Sequence, residues 1–221
     1  MSTAKVKRVI GGVEARKIIL RQLLDGPQTG LVLRAAIARR VSKPVDEVSD
    51  AMLYFNLQHL ENNGLIERFR DGKEKAARLI SHEIQSVRRV LGVEAPVAYL
   101  GAIGEDPGVL HAVPKRIRAE TAFRPEKYHY FVEEATRRRL SGLTPERILH
   151  EVPSDIFYND LGKMYELVFT LSQELIREHA ILIDVTGGGK VCALALYQSS
   201  IEFDLPCIFV TELGTVTWMR G

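Results

Sequence analysis

Residues 180–185, Ala180-Ile181-Leu182-Ile183-Asp184-Val185, form an apolar run without alternation. A strand that is apolar on both faces has to be covered on both faces. A mainly parallel sheet with helices on either side meets that demand, and from residue 96 onward strands alternate with helices in the matching way. Strands are predicted at 96–103, 127–132, 180–185, 206–211 and 215–219, with a weaker one at 147–152. Helices are predicted after the second strand through residue 139, over 156–179 and over 190–203. The 156–179 helix carries Leu161, Met164, Val168, Leu171 and Leu175 along one face.

The first 80 residues follow a different period. Ile18, Ile19, Leu23 and Leu24 mark a helix from residue 13 that stops at Asp25-Gly26-Pro27. A second helix is predicted over 31–40, with Thr29 as its N-cap. A third runs over 45–62, with Leu53, Leu57 and Leu60 on its core face and Gly64 as a left-handed C-cap. Two arms, 65–70 and 75–80, flank Asp71-Gly72, a hairpin signal. Residues 81–91 place Ile84, Val87 and Leu91 on one helical face, closed by Gly92 and Pro96. This linker helix is free to pack on either neighbour or on its own copy. The expected organisation is therefore 1–80, a linker at 81–95, and 96–221.

Charge divides along the same line. Residues 1–92 hold 17 Lys and Arg against 10 Asp and Glu, net +7, and residues 93–221 are net −5, within a whole-chain charge of +2. The basic half suits a polyanionic partner. A chain of 221 residues, 46% hydrophobic and 26% charged, has the profile of a soluble globular protein. It has no apolar run of spanning length and no secretory pattern, so a cytoplasmic location with no membrane contact is expected. Cys192 and Cys207 are too few for a disulfide scaffold or a zinc site, and no cofactor is expected.

Three helices and a hairpin, an α+β unit, follow the order of a winged helix-turn-helix. The stretch Leu57-Gln58-His59-Leu60-Glu61-Asn62-Asn63-Gly64-Leu65-Ile66-Glu67 resembles the end of the recognition helix and the start of the wing in ArsR- and MarR-like regulators. The resemblance implies double-stranded DNA as partner. Tyr54, Phe55 and Gln58 are then placed for base edges, with Asp50, Ala51 and Asn56 nearby, and Arg68, Arg70, Lys73 and Lys75 on the wing for phosphates. Arg39, Arg40 and Lys43 lie on the approach side. Residues 45–67 contain no Lys or Arg, which leaves a protein-interaction role open.

In the second half two strand ends are glycine-rich, at 101–108 and 184–190, where open α/β sheets hold their ligands. Gly187-Gly188-Gly189 lets a backbone approach an anion closely, Lys190 adds charge at a helix start, and Thr186 supplies a hydroxyl. The competing reading is a tight strand-to-helix turn with a solvated lysine. The anion reading fails if the protein's own side chains plug this corner while Lys190 faces bulk water. Asp184 and Val191 stand where a Walker A loop needs Gly and Ser or Thr, and 101–108 lacks G-x-G-x-x-G, so neither ATP hydrolysis nor NAD binding fits.

The buried strand ending in D-x-T-G-G-x-K, the small-residue helix after it and the two closing strands resemble the CRISPR-associated Rossmann-fold (CARF) domains, over 96–221. That resemblance implies a Rossmann-like, mainly parallel sheet domain. It also implies a homodimer whose facing loops bind a cyclic oligoadenylate, with tetra-adenylate the favoured ring. Thr186, Gly187, Gly188, Gly189 and Lys190 then line the ring, and Gly101, Ala102, Ile103, Gly104 and Glu105 form the other wall. Gly189 stands where the family usually has Thr, and Ala102 and Ile103 where it often has Ser or Thr, both of which argue against cleavage. The expected function is a ligand-responsive DNA-binding transcriptional regulator and not an enzyme. The alternatives are a ring nuclease and a non-catalytic interaction dimer. His111, His129, His150 and His179 read as surface or packing residues, and Lys115, Arg116 and Arg118 as mobile surface that could assist phosphate binding.

Overall fold

The computed structural model describes residues 3–140 and 143–220, and the chain divides into two compact units, Met1–Glu94 and Ala95–Gly221.

The first unit opens with a helix the hydropathy pattern did not single out, α1 (Thr3–Ile10), which buries Val6, Val9 and Ile10. Next come α2 (Glu14–Leu24), β1 (Gln28–Thr29) and α3 (Gly30–Arg40). Thr29 precedes α3 as expected, but its side chain makes no capping bond. The third helix starts later than predicted. Pro44 leads into a 3-10 turn, Val45–Glu47, and α4 (Asp50–Asn62) follows only after extended residues at 48 and 49. Arg34 fixes that break by donating to the Val45 carbonyl at 3.0 Å and to Asp50 at 2.6 Å. Leu53, Leu57 and Leu60 are buried as their spacing requires, and Gly64 adopts φ +65°. The hairpin strands β2 (Ile66–Asp71) and β3 (Glu74–Leu79) pair with Asp71 opposite Glu74, so the turn is Gly72-Lys73, one residue later than read. Strand β1 pairs with β3 to give a three-stranded antiparallel sheet.

After a 3-10 turn, Ser81–Glu83, the helix expected as a linker is α5 (Ile84–Leu91), and it belongs to the first unit. It packs against α1 and α2, burying Ile84 and Val87. Arg21 donates to the Leu91 carbonyl at 3.1 Å, and Lys5 pairs with the fully buried Glu83 at 2.9 Å.

The second unit is β4 (Val97–Ile103), α6 (Val109–Glu120), β5 (Pro125–Glu133), α7 (Glu134–Arg137), β6 (Arg147–Val152), α8 (Ser154–Asn159), α9 (Leu161–Glu178), β7 (Ala180–Asp184), α10 (Lys190–Glu202), β8 (Cys207–Val210) and β9 (Val216–Arg220). The sheet runs β6-β5-β4-β7-β8-β9, parallel throughout except for β9. This is the order 3-2-1-4-5-6 of a Rossmann-like sheet. Tyr99, Tyr128, Tyr130 and Val132 pack one face against Leu110, Val113 and Ile117 of α6. Helices α9 and α10 contact β7, burying Met164, Val168, Ile176 and Leu196.

Two readings are corrected here. Residues 115–118, read as mobile surface, lie in α6, which keeps the buried Pro114 inside it and packs Leu110, Val113 and Ile117 against the sheet. The long helix predicted over 156–179 is two helices. The Asp160 side chain accepts the Lys163 N–H at 3.0 Å and starts α9 afresh, as a carboxylate N-cap does.

Candidate functional site

The order of the strands reverses direction between β4 and β7, and at such a switch point the two following loops diverge and leave a crevice. The crevice is built by glycine. A Cβ on Gly104, just past β4, would lie 3.2 Å from the Cα and N of Gly188, just past β7, so the two loops touch backbone to backbone. Gly188 also takes φ +82°, a conformation that side-chain-bearing residues rarely adopt.

Asp184 and Thr186 hold the corner rigid. Asp184, fully buried at the end of β7, accepts the Tyr99 hydroxyl at 2.5 Å, the Thr186 N–H at 2.9 Å and the Thr186 hydroxyl. The Thr186 oxygen in turn accepts the Val210 N–H of β8 at 2.7 Å. Burial pushes the Asp184 carboxyl above the usual carboxylate range, against the three hydrogen bonds that lower it. Burial, then the Asp184 charge, pushes the Tyr99 phenol well up.

The resulting cleft of about 620 Å³ lies beyond the carboxyl ends of β4, β7 and β8. Of the ten residues singled out from sequence, Gly104, Glu105, Thr186, Gly187 and Gly188 line it. The other five do not. Ala102 and Ile103 are fully buried within β4. Gly101 is small because Tyr99 needs the room, since a Cβ there would sit 2.5 Å from the Tyr99 hydroxyl. Gly189 is covered by the Tyr158 ring, 2.7 Å from where its Cβ would be. Lys190 is exposed at the start of α10 and does not line the cleft. The Tyr158 ring plugs the Gly189 side of the corner, and Ala102, Val109 and Phe157 crowd the Gly187 and Gly188 positions. Even Gly187 has a packing reason, because a Cβ on it would lie 2.1 Å from the Ala102 carbonyl oxygen.

Sequence reasoning missed the opposite wall. Val109, Ala112, Val113 and Arg116 of α6 line the cleft, at i, i+3, i+4 and i+7, a helical signal that Pro114 obscured. The turn after β8 adds Thr211, Glu212 and Leu213, with Leu213 91% exposed. The Arg116 guanidinium lies against Gly214, where a Cβ would approach it to 2.8 Å. Among the described residues the cleft's charged groups are Arg116, Glu105, Asp106 and Glu212, so three carboxylates and one cation line it beside its glycines. Among the described residues no group of three His, Cys, Asp or Glu side chains could hold a metal ion, and no helix is long and apolar enough to cross a membrane.

In the first unit, Tyr54, Phe55 and Gln58 are exposed on α4, and Arg70, Lys73 and Lys75 are exposed on the hairpin. Two residues are placed differently from the reading. Asn56 is buried, accepting from Arg16 at 3.2 Å and donating to the Met52 carbonyl at 2.8 Å. Arg68 is committed to Glu61, to which its Nε donates at 2.8 Å, and it lies 5.0 Å over the Tyr54 ring. The hydrogen bonds from Arg68 hold the Glu61 carboxyl below its usual range.

No protein-family model matches the chain, and no curated protein matches it. Among solved structures it is similar to Can2 from Sulfobacillus thermosulfidooxidans in complex with cyclic tetra-adenylate, with 17% identity and a TM-score of 0.44 over 56% of this chain and 34% of that one. Protein VC1899 from Vibrio cholerae aligns at 14% identity and 0.43, over 56% and 33%. Enterococcus italicus Csm6 bound to cyclic hexa-2′-fluoro-hexa-dAMP aligns at 16% identity and 0.42, over 57% and 35%. The chain thus spans about a third of the length of each.

Proposed function

We propose that the protein is a ligand-responsive DNA-binding regulator whose second unit senses a cyclic oligoadenylate. The observation that carries the sensing role is the close approach of Gly104 and Gly188 at the switch point, where both line the cleft without a side chain. A nucleotide ring presents phosphates, ribose hydroxyls and adenine amino groups. Glycine amides and Arg116 suit the phosphates, and Glu105, Asp106 and Glu212 suit the hydroxyl and amino donors. A cleft of about 620 Å³ suits a drug-sized ligand. A ring of four nucleotides is larger, which favours a homodimer in which each copy supplies half the site. The CARF resemblance of residues 96–221 points to the same ligand class.

Binding without cleavage is the proposed chemistry. The Thr186 hydroxyl is committed to Asp184 and Val210, and Lys190 stands outside the cleft. Incubation of cyclic tetra-adenylate with the protein is expected to leave the ring intact; linear products lost in Lys190→Ala would establish the ring-nuclease alternative.

The DNA role draws support from the ArsR- and MarR-like resemblance and from the exposed cations of the hairpin. The test is a pair of titrations. Cyclic tetra-adenylate is expected to raise the melting temperature by mass action. Fluorescence titration of the DNA upstream of the protein's own gene, with and without the ring, is expected to show salt-sensitive binding that the ring alters. No binding at low salt in either state removes the regulator reading.

One observation favours a second reading. The exposed face of α4 is aromatic, with Tyr54 54% and Phe55 63% exposed, and Leu31 on α3 is 68% exposed. Such a surface suits a protein partner, and absent DNA binding with an intact ligand response would favour it.

A further inference from the structure

On the α6 face of the sheet, beside the edge strand β6, a second pocket of about 400 Å³ shares no lining residue with the glycine cleft. His111, Lys115 and Arg118 fall at i, i+4 and i+7 of α6, so one face of the helix carries them all, and Arg147, the first residue of β6, stands across from them. The Arg147 guanidinium contacts His111 Nδ1 at 3.3 Å. With Arg147 as the donor, the imidazole proton sits on Nε2, where it is available to an acceptor.

The floor holds the more telling group. Tyr128 of β5 lines the pocket and is 4% exposed, yet its hydroxyl has no hydrogen-bond partner among the described residues. A buried phenol without a partner costs free energy, and a ligand that reaches it recovers that cost. The pocket also holds two carboxylates, Glu126 and Glu146. The Thr144 hydroxyl, ahead of the nearby Arg147 and Arg118, holds the Glu146 carboxyl below its usual range.

We infer that this pocket binds a small phosphorylated sugar or mononucleotide. Lys115, Arg118 and Arg147 meet the phosphoryl group, and the Tyr128 hydroxyl donates to it. Glu126 and Glu146 accept from the sugar hydroxyls. Arg and Lys around a phosphate give charge-assisted bonds, and carboxylates beside them select for a ligand that also carries donors over inorganic phosphate.

The test uses the full chain with adenosine 5′-monophosphate, ribose 5-phosphate and inorganic phosphate as probes, followed by calorimetry and thermal shift. Adenosine monophosphate or ribose phosphate is expected to bind more tightly than inorganic phosphate. The Arg118→Ala/Arg147→Ala double variant should weaken that binding by about tenfold or more. Tyr128→Phe keeps the ring and removes only the hydroxyl. It is expected to melt higher than the parent without ligand and to gain less from the probe. Absence of binding at millimolar probe, binding unaffected by the double variant, or a full ligand response in Tyr128→Phe would each overturn the assignment.

Discussion

At Gly187 the space for a side chain is already taken. The Ala102 carbonyl sits 2.1 Å from the missing Cβ and cannot move without disturbing β4, whereas at Gly189 the obstacle is the Tyr158 ring, which can rotate. Gly187→Ala is therefore expected to cost about 3 kcal/mol or more and Gly189→Ala about 1 kcal/mol, read by urea denaturation; equal costs would remove the packing explanation. A second residue-scale prediction concerns His129, stacked on His150 at 5.3 Å with Nδ1 3.1 Å from His150 Nε2. Burial first, then the neighbouring His150, His179 and Lys127, lowers its pKa from 6.5 to about 4. The unfolded chain takes up that proton near pH 6.5 and the folded chain does not, so the sign is a loss of stability as pH falls from about 6.5 toward 4. The slope approaches about 1.4 kcal/mol per pH unit for one proton. His129→Gln should flatten that part of the pH–stability curve.

Among the elements, Thr186 does what no single strand could do. Its hydroxyl links the end of β7, through Asp184, to the Val210 N–H of β8. Thr186→Val keeps the shape and leaves both a carboxylate lone pair and an N–H without partners. It should destabilise by about 1–3 kcal/mol in chemical denaturation, and Thr186→Ser should restore most of the loss. Much at this scale was legible in the sequence. The unbroken apolar run at 180–185 announced a strand covered on both faces, and Asn63-Gly64 and Asp71-Gly72 announced a helix end and a turn. The elements that were missed or misplaced each had a local reason. Pro114 hid α6, the brevity of α1 hid its apolar stripe, and Asp160 split a helix whose hydrophobic period continues across the break.

For the whole molecule, the DNA reading makes an electrostatic prediction. If Arg70, Lys73 and Lys75 each hold a phosphate, replacing all three by Ala should weaken binding and lower the slope of log affinity against log salt by about three, one per contact. An unchanged slope would remove the hairpin from the interface. The sequence by itself determined that strands alternate with helices after residue 96, that glycine-rich loops follow the first and fourth of those strands, and that charge divides the chain into a basic and an acidic part. These follow from periodicity and composition, which are local. Only the tertiary structure decided which residues reach the cleft. Ala102 and Gly189 lie within a residue or two of lining positions, yet one is fully buried and the other lies under Tyr158, while Arg116 arrives from a segment, 115–118, read as mobile surface. Side-chain direction at a strand end and the contact between distant loops depend on packing across the sheet, and no window along the chain contains that information.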